Sequence, residues 1–307
     1  MSETMTTVGM IGLGIMGSAL TSNLIEDGFD VIGFDIDDGA VEALAARGGG
    51  VARSPADLAA GCDVVLIAIA TLGVLADIVG GPDGVIAGAS PGTPVADLGT
   101  LPLEEKLAAR EVCAAAGIPF LDCAMSGTGA QAADRDLVFM ASGDQDAIER
   151  IRPVLGRLGT AVHDVGDFGN ATKMKLVANL LVAVHNAAAA EALLLAEKAG
   201  IDPHRAIEVL AEGAGGSRML GVRGPMIADR SYHEAPTARV SMFMKDLGLI
   251  EDLARRVGAP TPLLDVTHRL YEETAALGYT ASDAAAVHAA IEARAGEPKE
   301  HEAQWES

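Results

Sequence analysis

A glycine-rich turn near the start of the chain constrains its fold more than any other segment. The six residues 12–17, Gly-Leu-Gly-Ile-Met-Gly, directly follow a short β-forming stretch and open a helical pattern. At this spacing the first glycine permits a tight turn, the second lets the backbone approach a pyrophosphate, and the third allows close helix–strand packing. The free amides and the positive end of the helix attract phosphate charge. The predicted cofactor-binding residues are therefore Gly12, Leu13, Gly14, Ile15, Met16 and Gly17.

An acidic residue lies where a dinucleotide-binding unit needs one. Asp35 ends the second predicted strand, about twenty residues after the turn, and a carboxylate there can accept hydrogen bonds from the adenosine ribose. A 2′-phosphate is disfavoured, since like unit charges about 4 Å apart repel by roughly 4 kcal/mol at an effective dielectric constant of about 20. Ile36, Asp37 and Asp38 follow and bring no positive charge. We predict NAD in preference to NADP, with Asp35 and Ile36 at its adenosine end; capping the strand end is the alternative role of Asp35.

Strands and helices alternate through the first half of the chain. The unbroken apolar run Val-Val-Leu-Ile-Ala-Ile at residues 64–69 is typical of a parallel strand covered on both faces. Alternation of this kind predicts an α/β fold, a Rossmann-type doubly wound parallel sheet. The predicted strands are residues 6–11, 30–35, 64–69, 94–98, 119–123, 137–141 and 161–165.

After Gly169 the strand patterns stop. Residues 170–199 contain neither Pro nor Gly, which predicts a helix about 45 Å long at 1.5 Å per residue. Further helices are expected from about residues 203, 217, 240, 262 and 282. We predict an NAD-binding domain over 1–167, an all-helical substrate and oligomerisation domain over 168–295 joined to it by the long helix, and a disordered tail over 296–307.

Charge and hydropathy exclude several kinds of partner. The formal net charge is -21 and aromatic residues make up 3% of the chain, so the surface repels nucleic acid and anionic membranes and offers no base-stacking platform. Small and polar residues interrupt every apolar run before the roughly 20 residues that a membrane helix needs. The short acidic start lacks the basic and apolar regions of a secretion signal. We expect a cytoplasmic protein.

Cysteine and histidine spacing does not predict a metal site. The three cysteines, Cys62, Cys113 and Cys123, form no CxxC pair and lie in apolar or Ala-rich segments. The seven histidines are scattered without the spacing of metal ligands. We therefore expect buried free thiols and no metal.

Two lysines near the start of the long helix are candidates for proton transfer. Lys175 and Asn179 are four residues apart and share one helix face, next to a predicted domain boundary of the kind that commonly forms an active-site cleft. Lys173 competes with Lys175 on local sequence alone. A solvated surface lysine is the simpler interpretation, although apolar residues surround Lys175 on most of the helix.

Four motifs resemble those of the β-hydroxyacid dehydrogenases, the family that includes 3-hydroxyisobutyrate dehydrogenase and tartronate semialdehyde reductase. They occur in the family's order within roughly residues 8–288: the turn at 12–17, Asp-Cys-Ala-Met-Ser-Gly at 122–127, the segment 166–179, and Phe-Met-Lys-Asp at 243–246. The resemblance implies hydride transfer between NAD and the hydroxyl carbon of a small anionic 3-hydroxy acid. It also selects Lys175 over Lys173 as the general acid/base, because the family's lysine follows a glycine pair and precedes an asparagine by four residues.

The resemblance implies roles for further residues. Ser126, Gly127 and Thr128 would hold the substrate carboxylate through backbone amides and a hydroxyl. The substrate-binding set implied in full is Ser126, Gly127, Thr128, Asn179 and Lys245. The residues implied along the cofactor, from the adenosine side to the nicotinamide, are Thr71, Thr100, Lys245 and Asp246.

The chain departs from the family's usual pattern around the predicted substrate pocket. Thr128 replaces the second glycine of Ser-Gly-Gly, and Gln131 and Arg135 replace two later glycines of that loop. Gly99 stands where serine is usual, and Ala178 where the first of two asparagines is usual. These changes leave the identity of the hydroxy acid open. Arg135 is either a second anion-binding group or a solvated loop residue.

Two other functions fit part of the sequence. Imine reductases share the glycine turn but usually carry Asp or Tyr at the lysine position and prefer NADP, so Lys175 and Asp35 argue against them. A catalytically silent NAD-binding or assembly module would not need Lys175, Asn179, Ser126 and Lys245 together. The Ala-rich stretch 187–190 favours close helix packing, from which we expect a homodimer or homotetramer.

Overall fold

The computed structural model describes residues 6–234 and 236–295. The chain divides into two compact units, residues 1–175 and 176–307. The first contains a sheet with helices, and the described part of the second is helical apart from one isolated β-bridge. This confirms the predicted fold class. The tail predicted to be disordered, 296–307, lies outside the described residues.

An eight-stranded sheet forms the framework of the first unit. Its order is β3-β2-β1-β4-β5-β6-β7-β8. The chain thus builds the sheet outward from β1 in one direction through β3 and then in the other from β4, which makes the gap between β1 and β4 a topological switch point. In α/β sheets, ligands bind beyond the carboxyl ends of the strands at such a switch point. The strands are β1 Thr7–Ile11, β2 Asp30–Phe34, β3 Gly50–Val51, β4 Val64–Ile67, β5 Val95–Asp97, β6 Phe120–Ser126, β7 Val138–Ser142 and β8 Ala161–Asp164.

The sheet is parallel from β3 through β6 and then reverses. β6 pairs antiparallel with β7, placing Ser126 opposite Val138, and β7 pairs in parallel with β8. The prediction of a parallel sheet did not include this reversal. The connection between β6 and β7, residues 127–137, holds only a one-turn helix and lies at the lower limit of length for a parallel crossover.

Helices cover both faces of the sheet. Met10 and Leu66 belong to one buried apolar cluster, and their chain neighbours Ile11 and Ile67 belong to another. Adjacent strand residues therefore face opposite cores, which explains the unbroken apolar run of β4. The helices are α1 Ile15–Glu26, α2 Asp38–Ala46, α3 Pro55–Ala59, α4 Leu75–Gly80, α5 Val85–Gly88, α6 Leu103–Ala115, α7 Gly129–Ala133 and α8 Gln145–Leu158.

The long helix α9 spans Asn170–Lys198, as predicted. Among the described helices it is the one that is long and apolar enough to cross a membrane by length and composition, which the sequence analysis did not expect of any segment. That criterion is weak by itself, because a helix in a protein core satisfies it too. Ala183, Ala190 and Leu193 of α9 are buried in the core of the second unit.

Two of the other helices in the second unit begin at a side-chain cap. Asp202 accepts a hydrogen bond from the first turn of the helix at Pro203, and Ser217 does the same for the next helix. Arg223 and Asp283 form a buried ion pair at 3.0 Å. The helices that follow α9 are α10 Pro203–Glu212, α11 Arg218–Ala228, α12 Val240–Val257, α13 Pro262–Ala276 and, after a 3-10 turn at Ala284–Ala286, α14 Val287–Arg294.

Candidate active site

The glycine turn adopts the geometry that its sequence predicts. Gly12 has a φ of 93° and donates its N–H to Phe34 O at 2.9 Å. A Cβ on Gly17 would lie 1.9 Å from Gly12 O, whereas a Cβ on Gly14 would meet no protein atom within 4 Å. The turn therefore packs tightly at Gly12 and Gly17 and opens to solvent at Gly14, where α1 begins.

Asp35 is tied to the glycine turn. Its Oδ2 accepts a hydrogen bond from Leu13 N at 2.6 Å, and its Oδ1 accepts one from Asp37 N at 3.0 Å. This is the strand-end capping role considered for Asp35. A carboxylate has about four acceptor positions, so a ribose contact remains compatible with these bonds. The neighbouring Ile36 is 94% exposed.

The predicted nicotinamide-side residues follow the carboxyl ends of the next strands. Thr71 lies exposed in the loop after β4, and Thr100 is half-buried after β5. A Cβ on Gly99 would lie 2.3 Å from Ile69 O. The serine that is usual at position 99 in the resembling family would therefore clash with this backbone, which accounts for one departure from the pattern.

The loop after β6 is built as one capped unit. Thr128 and Gln131 form a capping box at the start of α7: Thr128 N donates to Gln131 Oε1 at 3.0 Å, and Gln131 N donates to Thr128 Oγ1 at 3.4 Å. Two of the departures thus belong together. The N–H of Thr128 is therefore engaged within the loop itself. Gly127, with a φ of 146°, precedes it.

Arg135 binds the end of α1 instead of lying solvated. Its guanidinium contacts Asp27 Oδ1 at 2.7 Å and Glu26 Oε2 at 3.2 Å. Asn23 of the same helix donates to Ala132 O at 2.8 Å in a buried hydrogen bond. These contacts engage Arg135 with acids of its own chain and hold the loop against α1.

The two candidate lysines of α9 have different surroundings. Lys173 is exposed and donates to Asn170 Oδ1 at 3.1 Å, at the start of the helix. Lys175 is half-buried, and Asn179, one turn later, is 6% exposed. The two lysines therefore differ clearly in burial.

Three of the predicted residues meet in the second unit. Asn179 Nδ2 donates to Asp246 Oδ2 at 2.9 Å, and Lys245 Nζ lies 3.3 Å from Asp246 Oδ1. An ionised carboxylate only accepts hydrogen bonds, so the amide of Asn179 must present its NH2 group to Asp246. Its carbonyl oxygen then points away from Asp246.

Sequence reasoning missed a buried ionic cluster beneath the loops of the first unit. Lys106 Nζ lies 2.9 Å from Asp97 Oδ2 and 2.8 Å from Asp122 Oδ1, and all three side chains are fully buried. Burial raises the pKa of Asp97, with Lys106 opposing the shift. Burial alone would lower the pKa of Lys106, but the two carboxylates outweigh it and raise that pKa. Acids inside otherwise apolar strands were a possible signal; Lys106 on its helix offered none.

The described residues contain no group of three or more His, Cys, Asp or Glu side chains placed to hold a metal ion. All three cysteines are free and buried, as predicted. Burial raises the pKa of Cys62 to about 12 and that of Cys113 to about 12, so these thiols are held in the protonated form.

Comparison with known proteins agrees with this architecture. Residues 7–166 match the NAD binding domain of 6-phosphogluconate dehydrogenase, and residues 169–291 match the NAD-binding domain of NADP-dependent 3-hydroxyisobutyrate dehydrogenase. L-threonate dehydrogenase of Cupriavidus necator is 34% identical over 281 residues, which cover 91% of this chain and 94% of the relative. NAD-dependent L-serine dehydrogenase of Pseudomonas aeruginosa is 31% identical, covering 91% and 95%.

A solved structure shows the same likeness in three dimensions. The crystal structure of 3-hydroxyisobutyrate dehydrogenase from Salmonella typhimurium superimposes with a TM-score of 0.84 at 31% identity, covering 92% of this chain and 99% of that one. Fold, glycine turn and matching profiles define an NAD(P)-dependent oxidoreductase with a helical second domain. Specifically, the chain belongs to the β-hydroxyacid dehydrogenase family and is a hydroxyacid dehydrogenase.

Proposed function

We propose that the protein is an NAD-preferring dehydrogenase of a small anionic 3-hydroxy acid, with Lys175 as its general acid/base. The observation that carries the proposal is the contrast between the two lysines of α9. Lys175 is half-buried four residues before the buried Asn179, whereas Lys173 is exposed and bonded to Asn170. The family's motif spacing points to the same lysine.

The glycine turn and Asp35 would hold the cofactor. The open space over Gly14 accommodates a pyrophosphate at the start of α1. Asp35 supports NAD over NADP, because a 2′-phosphate beside it would be repelled and no positively charged residue follows it directly. Thr71 and Thr100 follow neighbouring strands at the same edge of the sheet. The matched profile of the second domain comes from an NADP-dependent enzyme, so the preference needs a direct test.

Substrate binding would use the end of β6 and the loop beyond it. Ser126, the N–H of Gly127 and the hydroxyl of Thr128 would receive the carboxylate. Asn179 and Lys245 would contact the rest of the substrate, with Asp246 fixing the orientation of Asn179.

Lys175 would move the proton. NAD, held by the glycine turn and Asp35, would supply the hydride acceptor, and Lys175 Nζ would take the proton of the substrate hydroxyl as that group becomes a carbonyl. A lysine with an ordinary pKa near 10.4 is a poor base at neutral pH. In the reverse direction the Lys175 ammonium donates the proton to the carbonyl oxygen.

A panel of hydroxy acids tests the proposal directly. The relatives are named for L-threonate and L-serine, and the solved structure for 3-hydroxyisobutyrate, so these three substrates start the panel with NAD and with NADP. We expect absorbance of reduced nicotinamide to appear with at least one acid and faster with NAD. Binding of NAD without turnover of any acid would favour a silent module, and reduction of cyclic imines with NADPH would favour an imine reductase.

We further propose that the protein is a cytoplasmic homodimer or homotetramer without a nucleic-acid or membrane partner. Met174, Val177 and Leu181 of α9 are each about half exposed, at 47%, 52% and 51%, and their spacing forms an apolar stripe on the helix. Light scattering on the eluting protein should give a mass above that of one 31.3 kDa chain. A monomeric mass would contradict this proposal.

A further inference from the structure

We propose that Asp97, Lys106 and Asp122 are positioning residues, which fix the lysine-bearing end of α9 and the loop after β5 in one arrangement. The inference rests on the proposed function, because it assigns the cluster a task in placing Lys175 and Thr100. The three side chains touch neither substrate nor cofactor in this account. They act through the backbone that they hold.

Asp122 holds the first turn of α9. Its Oδ2 accepts Thr172 N at 2.8 Å, and its Oδ1 accepts Thr172 Oγ1 at 2.8 Å. Ala171 N donates to Ser142 Oγ at 3.1 Å, and that hydroxyl lies 3.3 Å from Asp122 Oδ2. A carboxylate at this position satisfies amides that a helix leaves unpaired at its start and favours the positive end of the helix dipole.

Lys175 follows Thr172 by three residues, about 4.5 Å along the helix axis at 1.5 Å per residue. A shift of the first turn therefore moves Lys175 by a similar amount. A misplacement of about 1 Å at a reacting group can cost about 100-fold in rate. The contacts that fix the position of the first turn of α9 therefore also fix the position of the Lys175 amine.

The ammonium group of Lys106 also holds the loop after β5. Lys106 Nζ donates to Gly99 O at 2.8 Å, and Asp97 Oδ1 accepts Gly99 N at 3.2 Å. Gly99 immediately precedes Thr100, the residue proposed near the nicotinamide. Lys106 therefore links the backbone beside the cofactor to Asp122, which carries the lysine helix.

Stability alone does not account for this cluster. Desolvating charges costs several kcal/mol per ion, and well-packed apolar replacements of buried ion pairs are often as stable or more stable. The cluster is fully buried and joins four separate segments of the first unit: β5 with its following loop, α6, β6 and the start of α9. A role in positioning the backbone explains why these three buried residues are charged, although apolar side chains would also fill the space.

The test compares Asp122→Asn with a control of equal burial. Asn retains the size of Asp122 but presents an NH2 group in place of one acceptor. Arg223→Met breaks the buried Arg223–Asp283 pair in the second unit, so it reports what loss of a buried ion pair does to stability alone. For each variant we would measure the melting temperature, the dissociation constant of NAD, kcat and KM with the best hydroxy acid, and amide hydrogen exchange.

Asp122→Asn should lower kcat at least tenfold per folded molecule while the dissociation constant of NAD changes less than threefold. Amide exchange of residues 171 and 172 should accelerate at least tenfold. Arg223→Met should lower the melting temperature, leaving kcat per folded molecule and exchange of those amides within about twofold of the wild type. Ser142→Ala, which removes the Ala171 acceptor, should act like Asp122→Asn to a smaller degree.

The outcomes separate the two proposals. A wild-type protein that oxidises no hydroxy acid refutes the proposed function, and the exchange of residues 171 and 172 then decides whether Asp122 holds the helix. Activity in Asp122→Asn that falls only with the folded fraction, as in Arg223→Met, overturns the positioning role. Unchanged exchange of residues 171 and 172 in Asp122→Asn overturns it as well.

Discussion

At the scale of single residues, different glycines of the turn meet different requirements. Gly17 permits close packing of the protein, and Gly14 leaves the space proposed for a cofactor. A Cβ at position 17 would collide with Gly12 O, whereas a Cβ at position 14 would meet no protein atom within 4 Å. The φ of Gly14 is -63°, outside the left-handed region that favours glycine. The two positions therefore allow a matched pair of substitutions.

Gly17→Ala should lower the melting temperature, because the clash involves backbone that cannot move without displacing α1. Gly14→Ala should leave the melting temperature of the cofactor-free protein within a few degrees but weaken NAD binding at least tenfold, because its methyl group would occupy the space proposed for the pyrophosphate. Differential scanning fluorimetry and isothermal titration with NAD measure both effects. Unchanged NAD affinity in Gly14→Ala would place the cofactor elsewhere.

Asp35 sets the cofactor preference in this account. Asp35→Asn keeps an acceptor for Leu13 N and removes the charge, so kcat/KM for NADP relative to NAD should rise. Relief of half of a repulsion of roughly 4 kcal/mol corresponds to about 30-fold. Asp38→Asn, which removes a neighbouring acid in the first turn of α2, serves as the control and should leave the ratio nearly unchanged. An equal ratio in both variants would contradict the role of Asp35.

At the scale of elements, the loop between β6 and α7 is shaped by its capping box. Gln131→Ala removes the acceptor of Thr128 N but leaves Thr128 Oγ1 to accept from the amide of residue 131, so half of the capping box is lost. We expect a slightly lower melting temperature and a higher KM for the hydroxy acid, because the loop carrying Thr128, next to Ser126 at the end of β6, is less ordered. The KM for NAD should stay the same. Steady-state kinetics with each substrate varied in turn measures the two KM values. An unchanged KM for the hydroxy acid would show that the capping box does not affect substrate binding.

Helix α14 carries a buried histidine that links stability to pH. His288 Nδ1 lies 2.8 Å from Tyr232 Oη, and burial lowers the pKa of His288 even though Glu292 and Glu197 oppose the shift. The folded protein therefore binds this proton more weakly than the unfolded chain does. The contribution of His288 to stability is complete above about pH 6.5, the ordinary histidine pKa, and decreases as the pH falls below it.

The melting temperature should therefore decrease from pH 7.5 to pH 5.5, a window above the ordinary carboxyl pKa values. His288→Gln should flatten this slope, since glutamine takes up no proton there. His204→Gln, which alters an exposed histidine paired with Asp229, serves as the control. A slope that persists in His288→Gln would assign the pH dependence to another group.

At the scale of the whole molecule, local chemistry made most elements predictable. Ser54 with Pro55, and Asp202 with Pro203, mark helix starts that the structure places at those residues. The run of residues without Pro or Gly predicted α9 to within one residue of its observed end at Lys198. Each of these signals acts over a few neighbouring residues, so a single sequence carries it in full.

Features that depend on distant segments were not predictable in the same way. The direction of β7 was missed because an alternating pattern of apolar residues is the same for a strand that runs either way. Lys106 reaches Asp97 and Asp122 only once α6 lies against the sheet. Thr128 and Gln131 have the three-residue spacing of a capping box. The sequence analysis noted them only as two separate replacements of glycines that are usual in the family.

The central claim is that Lys175 transfers the proton, and one substitution tests it most directly. Lys175→Ala should lower kcat by about 10²–10⁴-fold, the usual contribution of a general acid/base, while NAD binds as in the wild type. Lys173→Ala, two residues away and exposed, should keep kcat within about threefold. Turnover in Lys175→Ala comparable to that of Lys173→Ala would contradict the account.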